Sequence, residues 1–383
     1  MPAVQETVWE ATPHTLAKIV ILKNYLQAWF RILGGSGRNE SLLFVDGFAG
    51  PGRYACGAEG SPIASLKAAN NALFSMGSTF SADHIHCVFI EKDADRFAEL
   101  SKSVAAVSLH AKLRVEQHHC EFVDGIAKME SSNPSIFRSK APTLVFADPF
   151  GLGISFSTLA NCMKGASSEL LINLDVDGIA RIFLARSNNN RESQLTDLFG
   201  DSSWKNEFDT GGDLKKITVQ ILSLYKKRLL SVPGVKFVWS FAMRGKHDSI
   251  NYHLVFATKH PRGQQKMKEA MRTIDKSGSY SFSDAHSDQH VLFGDSDETF
   301  YAERLFQAYT GKVATMDEIA VFALNETPFM NAKRMLAHLE SENRIQVKAA
   351  NNYERRRGTF PDDKVESIAF GNFGALLKQP QLL

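Results

Sequence analysis

The stretch Leu42-Leu43-Phe44-Val45-Asp46-Gly47-Phe48-Ala49-Gly50-Pro51-Gly52 decides how the chain reads. Leu42 to Val45 are apolar without alternation, the pattern of a short strand buried on both faces, as in parallel sheets. The run ends on an acidic residue and passes into a glycine-rich turn. Glycine there lets backbone N–H groups come close to a ligand. Ligands of open α/β sheets bind beyond the carboxyl ends of the strands, so this turn is a candidate site.

The rest of the chain fits such a sheet. Thr12 is placed to cap a helix opened by Pro13. Ile19, Leu22, Leu26, Trp29 or Phe30, and Leu33 follow at helical spacing, and Gly34-Gly35 stops the helix. Beyond the turn, helices and strands alternate. A helix runs from Ser61 to about Phe74, then come strand Ile85–Ile90, helix Asp93–Ser103 and a short strand near Leu113–Glu116. Strand Thr143–Ala147, a helix near Phe156–Cys162 and strand Glu169–Leu174 follow. That alternation predicts a parallel sheet covered on both faces. Asp213–Leu230 reads as a helix. Val235–Phe241 and Tyr252–Ala257 flank the polar loop Arg244–Asn251 and read as a hairpin at one sheet edge.

The predicted fold is therefore α/β, a Rossmann-like sheet of seven strands with the last antiparallel, the pattern of class I methyltransferases. A plain dinucleotide-binding fold has six parallel strands. Residues 1–274 form this domain, and the Ser-, Asp- and Gly-rich residues 275–298 read as a linker. In residues 299–383, Met316–Leu324 and Pro328–Glu340 look helical, and Ile345–Val347 and Ser367–Phe370 look like strands. Helix, helix and hairpin predict a winged-helix-like module.

Composition narrows the function classes. The 383 residues are 44% hydrophobic and 22% charged with a net charge of +2, so no uniformly basic surface is expected and nucleic-acid contact would need local patches. Cys56, Cys87, Cys120 and Cys162 form no C-x-x-C pair, and His118-His119 has no partner at metal-ligand spacing. Reduced thiols and no metal are expected. Met1–Glu10 is polar and acidic, unlike a signal peptide, and no apolar run reaches the ~18 residues of a membrane span. A cytoplasmic protein without membrane contact is expected.

The turn suits S-adenosyl-L-methionine (SAM). Asp46 is placed to hold the ammonium of the methionine moiety, with Gly47, Phe48, Gly50 and Gly52 lining the approach. Glu91 ends the second strand and suits the ribose hydroxyls, about 40 residues beyond the turn because Arg53–Gly60 intervenes. That excursion also predicts little influence from the next helix terminus. Asp124, expected where the third strand region ends, suits the adenine amino group. Acidic residues at strand ends are often mere caps, but three in chain order favour a cofactor.

Asp148-Pro149-Phe150 closes the fourth strand. Methyl transfer is an in-line displacement, for which the protein positions a nucleophile and excludes water. Asp148 can accept one N–H of an amino group, the Pro149 carbonyl can accept another, and Phe150 can stack on a planar acceptor. The run resembles the D/N-P-P-Y/F motif of amino-methyltransferases, with the second proline absent. Asp175 and Asp177 end the fifth strand, facing the substrate opening or capping the next helix.

Thr12-Pro13-His14-Thr15 with Lys18, Val45 to Gly52, Ala147 to Gly151, and His253 to His260 together resemble the three-Cys-motif partner proteins, over about residues 8–270. The resemblance implies a bacterial protein encoded beside a three-cysteine, radical-SAM-like companion, and it implies the class I methyltransferase-like fold. His14 and Lys18, one helical turn apart within the matched motif, either line the pocket or form a solvated face. Arg355, Arg356 and Arg357 beside Tyr353 are placed at the hairpin tip, where they could grip phosphates. The expected function is SAM-dependent methylation of an amino nitrogen on nucleic acid. A protein or peptide acceptor made with the three-cysteine partner is the first alternative. A non-catalytic nucleic-acid or partner-binding subunit is the second.

Overall fold

The computed structural model describes residues 7–149, 151, 153–184, 189–208, 214–244, 250–275, 280–283 and 298–371, in two compact units. In the first unit, helix α1 (Pro13–Gly34) starts where the Thr12 side chain accepts the Thr15 N–H, and it stops at Gly35, whose N–H returns to the Arg31 carbonyl. Its buried side, with Ile21, Leu22, Tyr25 and Phe30, packs against α2 (Ser61–Met76) and α9 (Pro261–Arg272).

The sheet contains β1 (Ser41–Asp46), β2 (His84–Glu91), β3 (Leu113–His119), β4 (Thr143–Ala147), β5 (Ser168–Leu174), β6 (Phe237–Arg244), β7 (Ile250–Thr258) and β8 (Ser281–Ser283). Their order is β3-β2-β1-β4-β5-β7-β6-β8. Strands β1 to β5 pair in parallel, and β7 runs antiparallel between β5 and β6. This is the Rossmann-like sheet of class I methyltransferases, as the sequence predicts.

The β6–β7 hairpin lies toward one end of the sheet, with the antiparallel β7 inside and β6 outside it. Tyr252 to Thr258 are all buried, so β7 needs a neighbour on each side, whereas Trp239 and Ser240 make β6 only partly buried. An eighth strand, β8, pairs in parallel with β6 from within the stretch expected to be linker. Most of the predicted loop Arg244–Asn251, and the rest of residues 275–298, lie outside the described residues.

Side chains alternate along each strand, so each face of the sheet has its own core. Phe44, Phe146, Leu171 and Phe256 face α1, α2 and α9. Val45, Val145, Ile172 and Val255 face the opposite layer, which contains α4 (Phe122–Ser132), α5 (Phe156–Cys162), α6 (Val176–Leu184), α7 (Asn189–Phe199) and α8 (Leu214–Ser231). Two residues beyond Phe44, Phe146 and Leu171, the same parity brings Asp46, Asp148 and Asn173 to the α1 side. Among the described residues no helix is long and apolar enough to cross a membrane, and no His, Cys, Asp and Glu group could hold a metal ion.

The second unit contains α10 (Glu298–Tyr309), β9 (Val313–Ala314), α11 (Met316–Glu326), α12 (Lys333–Ser341), β10 (Ile345–Ala349) and β11 (Val365–Phe370). Its antiparallel sheet has the order β10-β11-β9. Thr315 and Glu318 form a reciprocal capping box at the start of α11. Leu305, Ile319, Leu336, Leu339 and Ile368 form its core. Residues 372–383 lie outside the described set.

Candidate active site

The glycine turn is held on both sides. The Gly47 N–H donates to the Phe146 carbonyl at 2.9 Å, and the Ala49 N–H donates to the Ile90 carbonyl at 2.9 Å. The Glu91 carboxylate accepts the Gly50 N–H at 2.8 Å and the Asp93 N–H at 2.8 Å. Glu91, expected on the ribose, thus has one bond from each oxygen fixing the turn and the start of α3 (Ala94–Ala105). A carboxylate has about four lone-pair positions, so it retains capacity for a ligand. Two glycines are sterically required. A Cβ on Gly47 would fall 2.4 Å from the Phe122 ring, and Gly52 has φ +82° with Ser103 2.9 Å from any Cβ.

Asp46 lies fully buried beneath the turn. One oxygen accepts the Phe48 N–H at 3.3 Å, and the other has no hydrogen-bond partner among the described residues. Burial pushes its carboxyl up to about 7. The Ser61 hydroxyl and the Phe48 N–H pull it down, and the charges of Asp148 and Glu91 push it up further.

The excursion after the turn closes on itself. The Gly60 N–H donates to the Gly52 carbonyl at 2.8 Å, the Tyr54 N–H to the Ala58 carbonyl at 2.9 Å, and Arg53 bridges Glu59. Gly60 and Ser61 therefore return to the turn, and the N-terminus of α2 lines the pocket. This corrects the expectation that the excursion separates the helix from the site. The Ala55 N–H also donates to the Trp9 carbonyl at 2.9 Å, and the Trp9 and Tyr54 rings meet edge to face at 5.9 Å. Trp9, Phe48 to Tyr54, Gly60, Ser61 and Asp148 line a small pocket that opens to solvent.

Asp148, just past β4, borders that pocket. Lys18 forms an ion pair with its Oδ2, and the Asn173 side-chain amide donates to its Oδ1 at 2.8 Å. Pro149 is buried behind it, and Phe150 lies outside the described residues. Lys18 is 6% exposed and sits over the Tyr252 ring. His14, one turn earlier, is also buried. It bonds the Arg244 carbonyl at 2.6 Å and meets Tyr252 and Phe282 edge to face. Of this pair, Lys18 reaches Asp148 and His14 anchors α1 to the β6–β8 side.

Asp124 is placed differently from its expectation, whereas Asp175 follows the capping alternative. Asp124 ends no strand. Strand β3 stops at His119, and Asp124 is exposed in the first turn of α4. The helical spacing of Phe122, Ile126 and Met129 outweighs strand continuation, because those side chains fill the core behind the turn. Asp175 accepts the Gly178 N–H at 2.8 Å, a cap for α6, and Asp177 pairs with Arg181.

In the second unit, Arg355 forms a two-point ion pair with Glu340, and Arg357 donates to the Glu340 carbonyl at 2.6 Å and to Asn343 at 2.8 Å. Arg356 is exposed. Two of the three arginines are thus engaged in holding their own loop to the end of α12.

The sequence reading passed over Asn173, Trp9, Tyr54 and Tyr252. Asn173 carried a signal, a polar residue inside the apolar run Leu170–Leu174. Trp9 and Tyr54 carried none, because they meet only once the excursion folds back.

These features define an α/β protein with the sheet order of the class I methyltransferase fold and a pocket at the carboxyl ends of its central strands. No family model matches the chain, and no curated protein matches it. It is similar to the solved structure of Trm1 from Pyrococcus horikoshii in complex with SAM, at 8% identity and a TM-score of 0.39, over 96% of this chain and 93% of that one. It is similar to protein LPL1258 from Legionella pneumophila at 12% identity and a TM-score of 0.37, over 70% and 94%. A Staphylococcus aureus protein assigned as a caffeoyl-CoA O-methyltransferase matches at 11% identity and a TM-score of 0.30, over 61% and 82%. Strand order and register, not these likenesses, define the fold.

Proposed function

We infer that the protein is a SAM-dependent methyltransferase acting on an amino nitrogen. The observation that carries this reading is the continuity of one pocket from the glycine turn to Asp148. A cofactor lying on the turn would present its sulfonium methyl toward the group that orients the acceptor. Asp46 supports the reading, because its unpartnered oxygen lies under the turn, where the cofactor ammonium would sit. Gly50, Gly52 and Glu91 shape the floor, and the acidic surroundings suit a cationic sulfonium. Asp148 accepts an acceptor N–H and keeps the lone pair aimed at the methyl. Lys18 and Asn173 fix its carboxylate, and the Pro149 carbonyl is a candidate second acceptor.

Nucleic acid is the first substrate class, with the second unit read as a winged-helix-like module from its helix, strand, two helices and hairpin. A base inside a duplex would have to be flipped into the pocket. One observation favours a protein or peptide acceptor, presented with a three-cysteine partner: Arg355 and Arg357 are held by Glu340 and Asn343 rather than left for phosphates. Radiolabelled SAM offered to cellular DNA, RNA and protein separates these readings. Label is expected in one fraction, and Asp148→Ala is expected to lower it by about 100-fold or more. Labelling unchanged by that substitution removes Asp148 from the mechanism.

A further inference from the structure

Asn173 ends β5 beside the end of β4, where Ala147 pairs with Ile172. Its Nδ2 donates to Asp148 Oδ1 at 2.8 Å. Its own Oδ1 is buried and has no hydrogen-bond partner among the described residues. The orientation of the amide is not free. A carboxylate paired with lysine offers only acceptors, so the nitrogen must face Asp148. Turning the amide over would set two acceptors against each other. The Asp148 contact therefore creates the orphaned oxygen.

A buried acceptor without a donor costs about 1–3 kcal/mol, and native structures hold few of them. This one lies one strand away from the pocket wall, on the same face of the sheet as Asp46 and Asp148. The missing partner has to be a donor. Lys18 is already on Asp148 Oδ2, and the orphan belongs to the same amide whose nitrogen holds Asp148 Oδ1, which makes it a close neighbour of that carboxylate. Two acceptors side by side match a group with two N–H bonds on one nitrogen.

Resting on the methyltransferase reading, we propose that Asn173 is a substrate-positioning residue that, with Asp148, makes the site selective for a primary amino group conjugated to a ring or carbonyl. One N–H goes to Asp148 and the other to Asn173 Oδ1. With both hydrogens held in the plane, the nitrogen lone pair develops out of the plane toward the methyl. The nitrogen–carbon bond forms as the sulfur–carbon bond breaks, the electron pair of the latter stays on sulfur, and one N–H proton leaves to water. The product has a single N–H and cannot satisfy both acceptors. Transfer should therefore stop at one methyl.

The test uses the full chain saturated with S-adenosylhomocysteine and probe pairs that differ only in an amino group against an oxygen. The pairs are cytidine and uridine, adenosine and inosine, and a glutamine peptide and its glutamate counterpart. At least one amino member is expected to bind about tenfold or more tightly than its partner. Asn173→Leu should erase that preference while leaving S-adenosylhomocysteine affinity within about twofold. Asn173→Gln is a second variant that keeps the amide if leucine perturbs folding. No preference in any pair, or a preference that survives Asn173→Leu, overturns the proposal and leaves the Pro149 carbonyl as the second acceptor. Failure of the cofactor product to bind at all is a separate outcome, which overturns the methyltransferase reading and this proposal with it.

Discussion

Asp46 is the residue at which stability and the proposed cofactor binding oppose each other. Its folded carboxyl titrates at about 7 against an ordinary 3.8, mainly because burial disfavours the charge. The folded state therefore binds the extra proton more tightly than the unfolded state between those values. The stabilising contribution is complete below pH 3.8 and is lost as pH rises through about 7. Asp46→Asn has no charge to bury. It should raise stability at pH 8 by up to ~4 kcal/mol, with little gain at pH 4. On the proposed cofactor placement, the same variant should bind S-adenosylhomocysteine at least about tenfold more weakly, because it would lack a charge-assisted bond to the ammonium. Denaturant melts at both pH values and one binding isotherm check this. Equal stability of both proteins at pH 8 would contradict the burial argument. Asp46, Glu91 and Asp148 were legible as strand-end acids. Asn173 showed only as a polar residue inside an apolar run, and its contact with Asp148 needed the folded register of β4 and β5.

At the scale of elements, Asp175 separates capping from substrate contact. It accepts the Gly178 N–H at the start of α6. Asp175→Ala should destabilise the protein by about 1 kcal/mol, the usual worth of an N-cap, with S-adenosylhomocysteine affinity and methyl transfer unchanged. A large loss of transfer with unchanged melting would instead place Asp175 on the substrate. Helix α1 and strands β1, β2, β4 and β5 were readable from Thr12-Pro13, Gly34-Gly35 and unbroken apolar runs. Helix α4 was hidden by Gly125, which reads as a breaker but is tolerated because Ile90 packs where its Cβ would be. Helix α9 was hidden by polarity. Gln264 and Lys268 are both buried, and Lys268 lies over the Trp239 ring, so period alone could not mark its inner face. Strand β8 has three residues and no pattern to read.

At the scale of the molecule, one face of one sheet gathers the candidate site residues. Parity from Phe44, Phe146 and Leu171 delivers Asp46, Asp148 and Asn173 to the α1 side, and α1 returns Lys18 to meet them. The second unit is nearly self-neutralising where the sequence looked most basic. Arg344 pairs with Glu303, Lys348 with Glu366, and Arg355 with Glu340. A run of arginines in sequence shows charge but not which acids fold against it.

The most direct measurement is calorimetry of S-adenosylhomocysteine binding to the full chain at pH 6 and pH 8. The account predicts binding at both values, tighter at pH 8 by about tenfold, because Asp46 must lose its proton to hold the ammonium. Folded protein that binds nothing at either pH would contradict it.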